Sequence, residues 1–348
     1  MFAMNKNHHH DFNQLALAIK QLGKELGFDH IGITDTNLLQ ENIHLKEWLA
    51  ARHYGEMKYF EKNGDIYEYP QKLLPSAIRV ICCGLNYPKS SSPDHPLASF
   101  AMLEDYSALV IKLLKEYVDK INHKLKIPQN ARVFAGNGPI LEKSLACKAG
   151  LGWYGKHNIL INETSGSFFC LGEILTDLPL PVDQPIANRC GNCSKCIEKC
   201  PTKALIAPHK LDAKRCISYL TGSYKGSIPL ELRPLIGTKI LGCDLCQNVC
   251  PWNKYLQISL QNPFKKIPHF AADNLIDWFL WDEKVFKEKT KNSPISLVRY
   301  ECWLRNIAVA LGNLPKTDKT LAALKLRLNH PSELVREHVK WALKRQDK

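Results

Sequence analysis

Two cysteine runs in the middle of the chain limit its architecture more than any other feature. The first reads Cys190-x2-Cys193-x2-Cys196-x3-Cys200-Pro201, and the second Cys243-x2-Cys246-x3-Cys250-Pro251, with Cys216 between them. Three thiolates on one tight loop converge on a single iron–sulfur cubane. The last cysteine, turned away by its proline, reaches the neighbouring cluster. Zinc ribbons pair two CxxC elements and do not carry CxxCxxCxxxCP. The spacing therefore assigns Cys190, Cys193, Cys196 and Cys250 to one [4Fe-4S] cluster, and Cys200, Cys216, Cys243 and Cys246 to another. Two clusters at this spacing pass electrons one at a time toward a redox centre elsewhere in the chain.

The chain holds 13 cysteines. The other five, Cys82, Cys83, Cys147, Cys170 and Cys302, stand in apolar company and read as small buried residues. Thiols kept for ligation suit a reducing compartment. The N-terminus is polar, with His8, His9 and His10, and is not a signal peptide. No apolar run reaches the roughly 18 residues of a spanning helix. A cytoplasmic protein with no membrane partner is expected. Lys and Arg number 47 against 34 Asp and Glu, a net charge of +13. Such an excess points to a polyanionic partner, nucleic acid first.

The 348 residues suit two or three domains. Helical spacing of Leu15, Ile19, Leu22 and Leu26 predicts a helix over 12–27. Strands are expected at 28–34, 78–85, 132–135, 159–162 and 167–176. Helices are expected at 43–51, 100–127 and 141–149. This alternation predicts an α/β domain through about residue 178, and Pro179, Pro181 and Pro185 mark its end. The Gly-rich turn from Ala149 to Asn158 lets backbone approach a large ligand or simply makes a tight connection. Helices over 296–311, 319–328 and 333–345 have the look of HEAT-like repeats. Arg299, Arg305, Lys325, Arg327, Arg336, Lys340, Lys344 and Arg345 spread positive charge through them.

GPILEKSLACKAGLGWYGKHNILIN, GSFFCLGEILTDLPLPVDQP, CGNCSKCIEKCPTKAL, RCISYLT, GCDLCQNVCPWN and WLRNIAVALGN stand in this order along the chain. Together they resemble the epoxyqueuosine reductase family. The resemblance implies an α+β multidomain protein. A cobalamin-binding domain, similar to that of reductive dehalogenases, spans 1–180. A ferredoxin-type domain with two clusters spans 181–255, and a helical tRNA-binding domain spans 256–348. It implies reduction of epoxyqueuosine to queuosine at the tRNA wobble position, with electrons passing from an external donor through the clusters to cobalamin bound base-off. A monomer is expected. The resemblance places Lys156, His157 and Ser167 near the corrin or substrate, with Ser218 and Asp244 beneath. Lys62 stands where relatives often carry Arg.

Two positions depart from the family pattern. The aspartate taken as the proton donor falls at Gly136, and a histidine of the upstream Arg-Asp-Tyr-His falls at Ser107. A glycine transfers no proton. The replacement donors considered are Asp105, Tyr106 and a water held by Asn137. Two other readings stay open: an impaired or non-catalytic tRNA- or cobalamin-binding relative, and a reductase of another small substrate.

Overall fold

The computed structural model describes residues 11–89, 92–136, 138–254, 263–270 and 274–347. Asn137 lies outside them.

Helix α1 (Phe12–Glu25) leads into strand β1 (His30–Asp35) and helix α2 (Leu39–Ala50). Strand β2 (Arg79–Asn86), helix α3 (Tyr106–Lys124) and strand β3 (Ala131–Phe134) follow. Helix α4 (Glu142–Lys148), the short β4 (Trp153–Tyr154) and β5 (Leu160–Ile161), and strand β6 (Phe169–Thr176) complete the first unit. β1, β2, β6 and β3 form one sheet in the order β1-β2-β6-β3. β2 is central because its apolar run is covered on both faces. Ile81, Cys83 and Leu85 face α1 and α3, while Val80 and Cys82 face α4, as a period of two requires.

The α/β expectation is corrected here. Every neighbouring pair in this sheet is antiparallel. β2 and β3 do run in the same direction, joined by α3, since both oppose β6. β6 has inserted between them, which gives a split β-α-β arrangement. Alternation of strands and helices in sequence says nothing about which strand will insert later.

α3 begins at Tyr106, not at residue 100. Asp105 is its N-cap and accepts the N–H groups of Ser107 and Ala108 at 2.9 and 3.3 Å. A carboxylate in that position satisfies donors that the first turn leaves open. The five cysteines outside the proposed cluster ligands form no disulfide, and Cys82, Cys83, Cys170 and Cys302 are buried, while Cys147 is half-buried.

The second unit is mostly loop. It carries helix α5 (Lys195–Lys199), a hairpin of β7 (Leu205–Ala207) and β8 (Lys210–Leu211), helix α6 (Ile217–Gly222) and helix α7 (Leu245–Asn248). The last unit holds α8 (Leu275–Leu280), α9 (Glu283–Thr290), α10 (Tyr300–Asn313), α11 (Asp318–Leu326) and α12 (Glu333–Gln346). α10 starts at Tyr300, because Pro294–Leu297 forms a separate 3-10 turn. It is buried without interruption from Cys302 to Gly312. One side packs into a cluster around Trp303 and Trp278. The other side meets the second unit.

Arg305 occupies that second contact and is fully buried. Its guanidinium donates to the carbonyls of Leu220, Tyr224 and Gly226 at 2.7, 2.9 and 2.7 Å. Asn306 donates beside it to the carbonyls of Thr221 and Ile240, both at 2.8 Å. The expectation that Arg305 adds to a basic surface is therefore corrected: it locks α10 to the backbone around α6. Lys325, Lys340, Lys344 and Arg345 are exposed. Among the described residues no helix is long and apolar enough to cross a membrane.

Candidate redox and substrate site

The eight thiols are electrostatic neighbours within the second unit. Cys250 lies close enough to Cys190, Cys196 and Cys193 to feel each of them. Cys216 feels Cys200, and Cys246 feels Cys243 and Cys216 and, more weakly, Cys196. Burial pushes Cys243 up to about 12 and Cys250 up to about 11. Ligation to iron reverses that, since a coordinated thiol is deprotonated.

Backbone N–H groups already point at the sulfurs. Cys216 accepts from Tyr219 and Ser218, Cys243 from Leu245, and Cys250 from Trp252. Cys200 Sγ accepts the N–H of Ala204 at 3.3 Å. Such N–H···S bonds stabilise the charge of a thiolate-bound cluster. The donor set fits two four-cysteine clusters. Among the described residues no three His, Cys, Asp or Glu side chains close on a single ion. A cubane asks for each thiolate at its own iron corner.

A polar network joins the cluster unit to the sheet above it. Asp244 Oδ2 accepts both the backbone N–H and the hydroxyl of Ser99, each at 2.7 Å. Gln247 donates to Asp244 Oδ1 at 3.3 Å and accepts the hydroxyl of Ser167 at 2.9 Å. Asn253 closes the network, donating to Ser167 Oγ and accepting its backbone N–H. Ser167 and Asp244 thus meet through Gln247. Tyr87, buried in the core of the first unit, also bonds Gln247 and feels Asp244.

Lys156 and His157 diverge although they are adjacent. Lys156 Nζ donates to the carbonyls of Gly191 and Cys193 at 2.6 and 2.9 Å. It holds the first cluster loop through these two bonds. His157 is buried, and its Nδ1 accepts the N–H of Ile159 at 3.2 Å. The proton therefore sits on Nε2, which has no partner. Desolvation, with Lys143 nearby, lowers its pKa to about 4. A buried N–H with no protein partner is able to bond a ligand or a water. Ser218 is half-buried beside Cys216. Lys62 is exposed on the turn Tyr59–Lys62, and no described hydrogen bond or ion pair ties it to the other site residues.

The glycines of the Ala149–Asn158 turn serve the chain itself. A Cβ on Gly152 would stand 2.1 Å from the carbonyl oxygen of Ile161, and one on Gly150 2.6 Å from that of Gln184. That space is taken by backbone, so the ligand-approach reading of this turn gives way to the tight connection.

Tyr106 is half-buried at the start of α3, and burial raises its phenol to about 12. It feels Cys170, Glu142 and Asp105. Glu142, which no sequence argument singled out, accepts the N–H of Gly136 at 2.6 Å. Its place inside the GPILEK block was the available signal. Gln247, Asn253 and Ser99 were missed as well. The first two stand in the second cysteine run, where attention goes to the thiols.

Comparison with known proteins agrees with this geometry. A family model described as a 4Fe-4S double cluster binding domain matches residues 189–253. A model described as epoxyqueuosine reductase QueG, DUF1730, matches residues 68–135. The epoxyqueuosine reductase of Pseudomonas aeruginosa is 45% identical over 344 residues, covering 95% of this chain and 94% of that protein. A crystal structure of epoxyqueuosine reductase with an epoxyqueuosine-modified tRNA-Tyr stem loop has a TM-score of 0.87 at 27% identity, covering 96% of this chain and 91% of that one. The Bacillus subtilis enzyme, with its catalytic loop aspartate swung out of the active site, gives 0.83 at 29% identity, covering 96% and 90%. With that identity held over nearly its whole length, the chain belongs to the epoxyqueuosine reductase family.

Proposed function

We propose that this chain reduces epoxyqueuosine to queuosine at the wobble position of tRNA, using two [4Fe-4S] clusters and cobalamin. The observation that carries this reading is the gathering of eight cysteines in one unit, joined through Asp244, Gln247 and Ser167 to the sheet. The family's activity gives this electron path its substrate. An impaired relative is the weaker reading, because the whole cluster apparatus is kept and close relatives are reductases.

Cobalamin, when bound, supplies the reduced cobalt that delivers electrons to the epoxide carbon. The unpartnered Nε2–H of His157 and the side chains of Ser167 and Tyr106 would face it or the substrate, with Ser218 and Asp244 on the cluster side. Cys190, Cys193, Cys196 and Cys250 hold one cluster, and Cys200, Cys216, Cys243 and Cys246 the other. Residues 1–180, 181–255 and 256–348 serve as reductase, cluster and helical domains. The HEAT-like helices offer Lys325, Lys340, Lys344 and Arg345 to the phosphate backbone. An external one-electron donor feeds the clusters, and the enzyme works as a monomer in the cytoplasm, where its tRNA is.

Complementation tests this reading. A strain that accumulates epoxyqueuosine receives the gene, and its tRNA nucleosides are analysed. Queuosine replaces epoxyqueuosine if the reading is right. Unchanged epoxyqueuosine, with the protein present and its clusters loaded, would overturn it.

A further inference from the structure

Gly136 lies just past β3 with φ +77. By the family resemblance read from the sequence, it carries no side chain where an aspartate is expected. Yet a carboxyl group is present at this spot. Glu142, the first residue of α4, brings Oε1 to 2.6 Å from the Gly136 nitrogen. Tyr106 of α3, Cys170 and Glu173 of β6, and Tyr67 all feel the charge of Glu142. Lys143 is its charged neighbour, but its Nζ is drawn 2.9 Å from the carbonyl oxygen of Asn158. Glu173 is fully buried, and neither of its carboxyl oxygens has a partner.

We propose that Glu142 is the proton donor of this chain, giving its proton to the epoxide oxygen in place of the side chain that Gly136 lacks. The assignment rests on the reductase reading above.

The chemistry balances with the electrons that activity already supplies. Opening the epoxide to the alkene takes two electrons and two protons, and the oxygen leaves as water. The electrons come singly from the external donor. Glu142 gives the first proton as the carbon–oxygen bond breaks, and solvent gives the second as water departs. The Gly136 N–H occupies Oε1, so the proton is carried on Oε2. Burial raises the Glu142 pKa to about 7, while the Gly136 N–H and Lys143 pull it down. That places the acid near the working pH, where general acid catalysis is most effective. Burial holds Glu173 well above the ordinary carboxylate range, and Tyr106 stands at about 12. The Tyr106 phenol stays neutral over the range in which Glu142 titrates. The acid form is present below about 7 and lost above it, so turnover falls as pH rises through that value.

The test uses the cluster- and cobalamin-loaded enzyme with epoxyqueuosine-containing tRNA. Glu142→Gln keeps an oxygen for the Gly136 N–H and removes the titratable proton. Expected is a loss of kcat on the order of 10²-fold or more, with KM for tRNA little changed and both cluster signals intact. Glu142→Asp retains the fall of rate with rising pH. Infrared titration gives a second readout, independent of turnover. One protonated-carboxyl band disappears near pH 7 in the wild type and is missing in Glu142→Gln.

Wild-type kcat and pH profile in Glu142→Gln would overturn the assignment and leave the reductase reading standing. So would a Glu142 carboxyl already ionised at pH 6, or loss of the alkaline limb in Tyr106→Phe but not in Glu142→Gln. An inert wild-type enzyme with its cofactors loaded overturns the reductase reading and this assignment together.

Discussion

A Cβ added to Gly136 would stand 2.8 Å from Oγ of Ser107. Gly136 and Ser107, both read from the sequence as departures from the family pattern, are thus neighbours. Ser107 Oγ is itself held by the carbonyl of Ala135 at 2.5 Å. With φ at +77, a side chain at 136 meets both backbone strain and a crowded neighbour.

Gly136→Asp should therefore destabilise the fold by roughly 1–3 kcal/mol. Adding Ser107→Gly opens the space and should recover part of that loss, so the two changes are not additive. Chemical denaturation of the single and double variants checks this. Equal destabilisation with and without Ser107→Gly would show that the two positions do not compete for space.

Iron content tests the ligand partition. Two cubanes of four irons give about eight irons per chain after anaerobic reconstitution. Cys193→Ala and Cys246→Ala should each lose one cluster's share and leave the other cluster's electron paramagnetic resonance signal. Stoichiometric zinc without iron–sulfur absorbance would refute the assignment.

Binding to tRNA should weaken steeply with salt, through counterion release. Lys340→Glu, Lys344→Glu and Arg345→Glu together should lower affinity and flatten the salt slope while the cluster spectrum stays unchanged. Titration at several ionic strengths measures both. A slope near zero for the wild type argues against a phosphate contact.

Arg305→Met keeps the apolar stem and removes the donors to Leu220, Tyr224 and Gly226. Three carbonyls, that of Leu220 buried, lose their charged partner, and a loss of about 3 kcal/mol is expected. Denaturant midpoints of the variant and the wild type give the value. A change below about 0.5 kcal/mol, ordinary for a surface site, would contradict the locking role.

His157 and His338 both stand at about 4 in the folded chain. Desolvation is the first cause in each case. Their folded pKa values lie below the ordinary 6.5, so the unfolded chain binds more protons in between. Stability is full above about 6.5 and falls as pH drops toward 4, by up to about 3 kcal/mol for each histidine. Urea midpoints at pH 7.5 and pH 5 should show the decline. Nitrogen NMR should show both rings neutral at pH 6.

The spacing of cysteines and prolines was enough to place a double-cluster domain, because a cubane's ligand loop is local and its demands are written in a few consecutive residues. Helix α1, strand β2 and the three C-terminal helices were legible for the same reason: amphipathic period and apolar runs are local properties. Insertion of β6 between β2 and β3 was not legible, since strand pairing is decided by competition among distant segments. Arg305 read as surface charge because composition cannot show that three carbonyls of another segment surround it. Asp105 became a cap only when the start of α3 was located. Glu142 is the clearest case. It lies six positions beyond Gly136, and its place in the GPILEK block does not by itself give it a role. Only the turn from β3 into α4 brings its carboxyl to the Gly136 N–H, and only burial there raises its proton affinity. Sequence determined what could bind iron and which family's chemistry was in view. Tertiary structure decided which acid stands where the proton is needed, because desolvation and approach are properties of surroundings that no single segment contains.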